Sequence, residues 1–120
     1  MGHWHAYAWT GGTKPADRDA RDMASATPPP LLRDWFRKPR VLLAGTFADA
    51  DAALEWLGRE LAAHPPPPGA LPAEVTLAYG RERLRAFPYD LVTRYYTAGG
   101  YVCRDLVRCE GEPGVCPGPP

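Results

Sequence analysis

Near the start of the chain, side chains suited to packing against a helix alternate with larger ones that form hydrogen bonds. Residues 3–9 read His-Trp-His-Ala-Tyr-Ala-Trp, a pattern that predicts a β-strand ended by the Gly-Gly pair nearby. One face of this strand carries Trp4, Ala6 and Ala8, where the alanines let a helix pack closely. The other face carries larger side chains that form hydrogen bonds: His3, His5, Tyr7 and Trp9. We expect function on this second face.

Apolar residues at helical spacing predict two main helices. The first, over residues 16–26, follows Pro15, since proline is favoured at the first helical position. The second, over residues 49–63, begins with acidic residues that suit the positive end of a helix. Its apolar stripe contains Leu54, Leu57 and Leu61. Between these helices, a short helical turn is predicted over residues 31–37, after three consecutive prolines.

Four further segments have strand character, one of them shared with a helical pattern. The nearly continuous apolar run within residues 40–47 predicts a strand covered on both faces, and therefore a central one. Residues 91–97 and 101–109 are rich in Val, Tyr and Thr, and the glycines between them predict a hairpin. Residues 73–85 fit either a helix or a strand, and the alternation over 74–79 slightly favours the strand.

These elements predict a single α+β domain over residues 1–110. We expect a four- or five-stranded, mostly antiparallel sheet with the two main helices packed on one face. Residues 111–120, rich in Gly and Pro, should form an irregular tail. The four tryptophans and six tyrosines exceed what so small a core readily buries, so we expect the second face to form a homodimer interface.

Composition narrows the class of protein. The formal net charge is zero, which argues against nucleic acid as a partner, and no apolar run approaches the roughly 20 residues that span a membrane. The N-terminus lacks the order of a signal peptide, so a cytoplasmic protein is expected. Arg outnumbers Lys twelve to two, while Asn, Gln and Ile are absent. This bias is typical of GC-rich bacteria of actinobacterial type, where specialised metabolism is a reasonable setting.

The candidate chemistry is acid–base. His3, His5 and Tyr7 are the predicted catalytic residues, because histidine titrates near neutrality and a phenol donates to an oxyanion. The predicted substrate-binding residues are Trp9, Arg37, Arg40 and Tyr96. The predicted catalytic and substrate-binding residues together suggest a cofactor-independent tailoring enzyme acting on a peptide or small molecule, for example by ring closure through conjugate addition. The alternative is a non-catalytic binding protein for self-resistance, sequestration or regulation.

The three cysteines raise the question of a metal. In a strand over 101–109, Cys103 and Cys109 share a face but lie about 20 Å apart, too far to bind one ion. A site made of Cys109, Cys116 and one histidine stays open as an alternative. We expect structural cysteines with no metal or other cofactor, and a Cys109–Cys116 link on oxidation.

Overall fold

A four-stranded antiparallel sheet organises the protein. The computed structural model describes residues 2–119. The strands are β1 (His3–Gly11), β2 (Leu43–Phe47), β3 (Leu91–Thr97) and β4 (Gly100–Cys109). They lie in the order β2-β1-β4-β3, so β1 and β4 are central and β2 and β3 form the edges. The predicted α+β class, with an antiparallel sheet and two main helices on one face, is confirmed.

Helices α2 (Ala50–Ala63) and α3 (Ala73–Ala86) cover one face of the sheet, and the short α1 (Asp17–Arg21) lies apart from them in the chain. The Asp49 carboxylate caps α2 by accepting the N–H of Ala52 at 2.8 Å. Within residues 2–119, none of the helices combines the length and apolar content needed to cross a bilayer.

The strand predicted over residues 74–79 is wrong, because this segment belongs to α3. Gly80 lies so close to β3 and α2 that an added Cβ would stand 2.7 Å from Leu91 on β3 and 2.9 Å from Leu54 on α2. Glu74 lies in the first turn of α3 and two arginines lie in its last turn, as the helix dipole favours. The alternating Val75 and Tyr79 that suggested a strand are exposed on its outer side.

The helix predicted over 16–26 is too long, since α1 ends at Arg21. The chain turns there because the ammonium group of buried Lys38 collects the backbone carbonyls of Asp19, Asp22 and Ser25 at 2.9 to 3.2 Å. A helix continued beyond α1 would use those carbonyls for its own hydrogen bonds. The second main helix of the fold is therefore α3.

The strand predicted over 40–47 is shorter and lies elsewhere in the sheet. Residues Arg40–Leu42 form a 3₁₀ turn, and β2 begins only at Leu43. It is an edge strand rather than a central one. Val41, inside the apolar run, is 82% exposed, so the run reflects a turn whose side chains divide between core and solvent.

The two faces of β1 divide as predicted, but the second face is covered. On the first, Trp4 and Ala6 pack into the apolar core beneath α2 and α3. On the second, Tyr7 stacks on Trp35 with ring centroids 4.6 Å apart. Trp35 belongs to the predicted helical turn, a 3₁₀ turn at Leu32–Arg37. Because this turn buries Tyr7, the second face does not form an open surface at that point, and the homodimer stays a prediction.

Candidate metal centre

Two histidines and two cysteines meet at one end of the sheet, where β1 begins and β4 ends. His3 and His5 are two residues apart on β1, so their side chains share the second face. Cys109 is the last residue of β4 and lies directly opposite His3 in the strand register. Cys116 approaches from the tail that follows. The sheet therefore supplies three of the four side chains and the tail supplies the fourth.

The tail returns to the sheet through a tight turn. The carbonyl of Glu112 accepts the N–H groups of Val115 and Cys116 at 3.1 and 3.0 Å. Gly111 and Gly114 have φ values of 80° and 78°, a backbone conformation that favours glycine. These features reverse the chain within a few residues and bring Cys116 back over β1.

Two residues near β2 hold the tail beyond Cys116. The Arg40 guanidinium donates to the carbonyl of Pro117, and the Thr46 hydroxyl donates to the carbonyl of Gly118 at 3.3 Å. Residues 117 and 118 are thus held beside the β2 edge of the sheet.

The four ligand-type atoms have nearly the spacing of a tetrahedral zinc site. The Nε2 atoms of His3 and His5 are 2.9 Å apart, and Cys116 Sγ lies 3.4 Å from each of them. With Cys109 Sγ included, all four atoms lie within 4.8 Å of one another. Ligands about 2.0 to 2.3 Å from a tetrahedral ion are separated from each other by roughly 3.3 to 3.8 Å. For an ion to fit among these atoms, the two histidine nitrogens must separate by about 0.4 Å and the widest pairs, up to 4.8 Å apart, must approach by about 1 Å.

Hydrogen bonding assigns the tautomer of His5. The single hydroxyl hydrogen of Thr46 goes to the Gly118 carbonyl, so Thr46 Oγ1 is free to accept from His5 Nδ1, 2.9 Å away. With the proton on Nδ1, the unprotonated Nε2 faces the cluster. Metal-binding histidines usually donate their other ring N–H to such a partner, which fixes the ring orientation.

Burial sets the charge states of the innermost two groups. Desolvation, with help from His3 and Arg40, lowers the pKa of His5 from its usual value to about 4, so the ring is neutral near pH 7. Burial also raises the pKa of the Cys109 thiol, while a hydrogen bond from the N–H of Gly111 to Sγ, 3.3 Å long, acts in the opposite direction. A neutral imidazole and a thiol that needs a positive partner to ionise are ordinary companions of a bound cation.

The sequence-predicted catalytic residues are brought together only in part. His3 and His5 meet each other, but they meet cysteines rather than Tyr7. Tyr7 is 2% exposed beneath Trp35, and burial raises the pKa of its phenol well above the usual range. Its hydroxyl is therefore poorly suited to exchange protons with a substrate.

The predicted substrate-binding residues are scattered. Trp9 and Tyr96 both contact the ring of Tyr101 at the opposite end of the sheet, about 20 Å along β1 from His3. Arg37 is exposed and forms an ion pair with Asp34. Arg40 lies near the cluster, where it binds the tail.

Sequence reasoning missed Cys109 and Cys116 as partners of both histidines. The signal was present: a His-x-His strand places two ring nitrogens on one side, and the tail returns a second cysteine after a Gly-rich turn. What was lacking was the pairing of β1 with β4, which sets His3 opposite Cys109. The arrangement favours the alternative that the spacing of the cysteines left open, extended by a second histidine.

Comparison with protein-family models, with curated proteins and with solved structures finds no significant match to this chain. Function is therefore inferred from the side chains of the site.

Proposed function

We propose that this protein binds one Zn²⁺ ion through His3, His5, Cys109 and Cys116, and that the ion fastens the C-terminal tail to the sheet. The observation that carries the proposal is the convergence of four ligand-type atoms within 4.8 Å of one another. Cross-strand pairing and a turn produce this convergence from two ends of the sequence, residues 3–5 and 109–116.

The donor set favours zinc over other common ions. Two thiolates and two imidazoles are borderline-soft ligands, which suit Zn²⁺ and are poor ligands for Mg²⁺ or Ca²⁺. The two thiolates balance the charge of the ion, so the complex is neutral where it is buried. Four protein ligands complete a tetrahedron, which is typical of structural zinc rather than of catalytic zinc with an open position.

The ion would add stability where the protein's own contacts are few. Residues 110–119 contain no helix or strand, and a small number of hydrogen bonds hold them to the sheet. A ligand that binds only the folded state stabilises that state by mass action. At a free zinc concentration a hundred times the dissociation constant, this contribution is about 2.7 kcal/mol.

The metal proposal changes how the sequence-based hypotheses are weighed. An acid–base enzyme would need His3 and His5 free to exchange protons, whereas as zinc ligands they are not. The tailoring enzyme of bacterial specialised metabolism, its cytoplasmic location and the homodimer therefore remain predictions from sequence. The alternative of a non-catalytic protein agrees better with a closed centre.

Zinc content and tail stability test the proposal together. Protein purified without a metal-affinity tag should contain one zinc per chain by elemental analysis, and a strong chelator should lower its melting temperature. Cys116→Ser should bind zinc much more weakly, while Cys103→Ala, which removes the cysteine outside the cluster, should retain one ion. A chain that binds no zinc, even when Zn²⁺ is supplied during refolding, would overturn the proposal.

A second candidate function is binding of a small molecule. An open cavity of about 480 Å³ lies beside the three consecutive prolines, and Lys14, Arg94 and Tyr101 contribute to its lining. Its volume lies within the range of ligand pockets, roughly 300 to 1,000 Å³. Among the charged lining groups, Arg94 pairs with Asp105 and Asp17 pairs with Arg21, which leaves the Lys14 ammonium to favour an anionic ligand. Small carboxylates should then raise the melting temperature of the wild type but not of Lys14→Ala, and the absence of any shift would reject this candidate.

A further inference from the structure

We propose that Cys109 and Cys116 form a peroxide-sensitive modification site, at which oxidation joins them in a disulfide and releases the zinc. This inference rests on the proposed function, because it concerns the same centre. Its observations are the proximity of the two sulfur atoms, their unequal exposure and the glycine-containing turn between them.

Unequal exposure gives the two sulfurs different roles. Cys116 lies in the tail and is partly exposed, whereas Cys109 is fully buried at the end of β4. Peroxide therefore meets Cys116 first, since oxidation of thiolates follows their accessibility. Cys109 Sγ lies within 4.8 Å of Cys116 Sγ and is placed to react second.

The chemistry consists of two displacements at sulfur. The Cys116 thiolate attacks one oxygen of hydrogen peroxide, the O–O bond breaks, and the departing hydroxide takes a proton to become water. This leaves a sulfenic acid on Cys116. The Cys109 thiolate then attacks that sulfur, the S–O bond breaks, and a second hydroxide takes a proton. Overall, two thiolates lose two electrons to one peroxide, with two protons consumed and two waters formed.

The backbone between the cysteines permits closure. A disulfide requires sulfur atoms about 2.05 Å apart and Cα atoms usually about 4.4 to 6.8 Å apart, so the tail must move toward β4. Gly111 and Gly114 lie inside the intervening turn and adapt their backbone angles at little cost. Cys103 is excluded as a partner, because it lies six residues from Cys109 on the same strand, about 20 Å away.

Disulfide formation removes half of the ligands. A disulfide sulfur has no thiolate charge to offer, so only His3 and His5 remain to hold Zn²⁺. Two neutral imidazoles make a weak site compared with a closed set of four ligands. Reduction by a dithiol in the presence of Zn²⁺ restores both thiolates and therefore the centre.

Zinc release and peptide mass test the inference on the zinc-loaded full chain. The protein is titrated with hydrogen peroxide while a chromogenic chelator records free zinc, and trypsin digestion follows. Cleavage after Arg108 places both cysteines in peptide 109–120, whereas Cys103 falls in peptide 95–104. We expect one zinc released per chain and a peptide 109–120 lighter by two hydrogens. Dithiothreitol with added Zn²⁺ should reverse both changes.

Two variants and three outcomes complete the test. Cys103→Ala should behave as the wild type, and Cys116→Ser, supplied with enough Zn²⁺ to load it, should form no disulfide. An unstructured thiol peptide in the same tube shows that the peroxide is active. If the peptide is oxidised but the protein keeps its zinc, the inference is overturned and the proposed function stands. Release with over-oxidised cysteines and no disulfide would also overturn it. Failure to bind zinc at the outset would overturn the proposed function itself.

Discussion

The two faces of the sheet are closed by different chemistry. Beneath α2 and α3, the core consists of leucine, alanine and tryptophan side chains, among them Leu57 and Leu106, which are fully buried. On the opposite face, Asp105 is fully buried and accepts hydrogen bonds from the Trp35 indole at 3.0 Å and from the Arg94 guanidinium at 2.6 Å. The metal centre lies on this second face. The helix face therefore relies mainly on area and shape, with the Arg104–Glu60 ion pair as its buried charged contact, whereas the second face joins a smaller apolar cluster to the pairs made by Asp105.

This difference determines what a substitution should do. Apolar contacts on the helix face are many and individually weak, so the loss of one leaves a cavity that neighbours partly fill. A buried ion pair fails differently, because the loss of one partner leaves the other charged and unpaired. The surroundings of Asp105 should therefore be the more sensitive to single polar substitutions, and the leucine-rich core beneath the helices to losses of volume.

The largest expected effect is at the buried carboxylate. Asp105→Ala leaves the Arg94 guanidinium and the Trp35 N–H without their acceptor, and should lower the free energy of unfolding by about 3–5 kcal/mol. Chemical denaturation measures this directly. As a control, Asp51→Ala removes an exposed ion pair with Arg85 and should cost less than about 1 kcal/mol. Equal losses from the two variants would contradict the role given to the buried pair.

A smaller loss is expected on the helix face. Leu57→Ala should lower the free energy of unfolding by about 3 kcal/mol, because Leu57 is fully buried between α2 and the sheet. Denaturation of Leu71→Ala provides the comparison, since this side chain is 60% exposed and its loss should change stability by less than about 0.5 kcal/mol. If Leu57→Ala were as harmless, α2 would not be packed as described.

The parts of the fold that sequence reasoning identified are those with local signals. The alternation in β1, the glycines between β3 and β4, and the leucine spacing of α2 each act over a few residues. The predictions were wrong where contacts between residues far apart in the sequence determine the local structure. Lys38 ends α1 by binding its carbonyls from outside, and Gly80 brings α3 against Leu91. Neither contact is visible in a window of neighbouring residues.

The candidate site likewise has features set by neighbouring residues and features set by contacts between distant parts of the chain. The placement of His3 and His5 on one side of β1 follows from strand alternation alone, and it was correctly predicted. Their meeting with Cys109 and Cys116 depends on which strands pair and on where the tail returns. The scattered positions of Arg37 and Tyr96 show the same dependence, since nothing local sets their distance from β1.

The metal centre should also respond to a residue that does not bind the ion. Thr46→Val removes the oxygen that accepts from His5 Nδ1, so the ring loses its fixed orientation and tautomer. Zinc affinity, measured by competition with a chelator, should fall by about 10- to 100-fold. The control is Thr13→Val, at an exposed position outside the centre, which should leave affinity unchanged. Unchanged affinity in Thr46→Val would show that the threonine does not orient the histidine.

The smallest expected effect has the opposite sign and comes from a second threonine, on β3. Thr93 shares its face of the strand with Leu91 and is buried, and its hydroxyl oxygen has no hydrogen-bond partner within residues 2–119. Burying an unpaired hydroxyl costs free energy, and valine has nearly the same shape without it. Thr93→Val should therefore raise the free energy of unfolding by about 1 kcal/mol.

Thr97→Val, at the less buried end of the same strand, should change stability by less than about 0.5 kcal/mol and so controls for strand propensity. Thr46→Val would then remove a hydrogen bond on the face of the metal centre, whereas Thr93→Val would remove an unpaired hydroxyl on the helix face. Destabilisation by Thr93→Val would mean that the hydroxyl is satisfied in solution and that polar pairing on the helix face extends beyond Arg104 and Glu60.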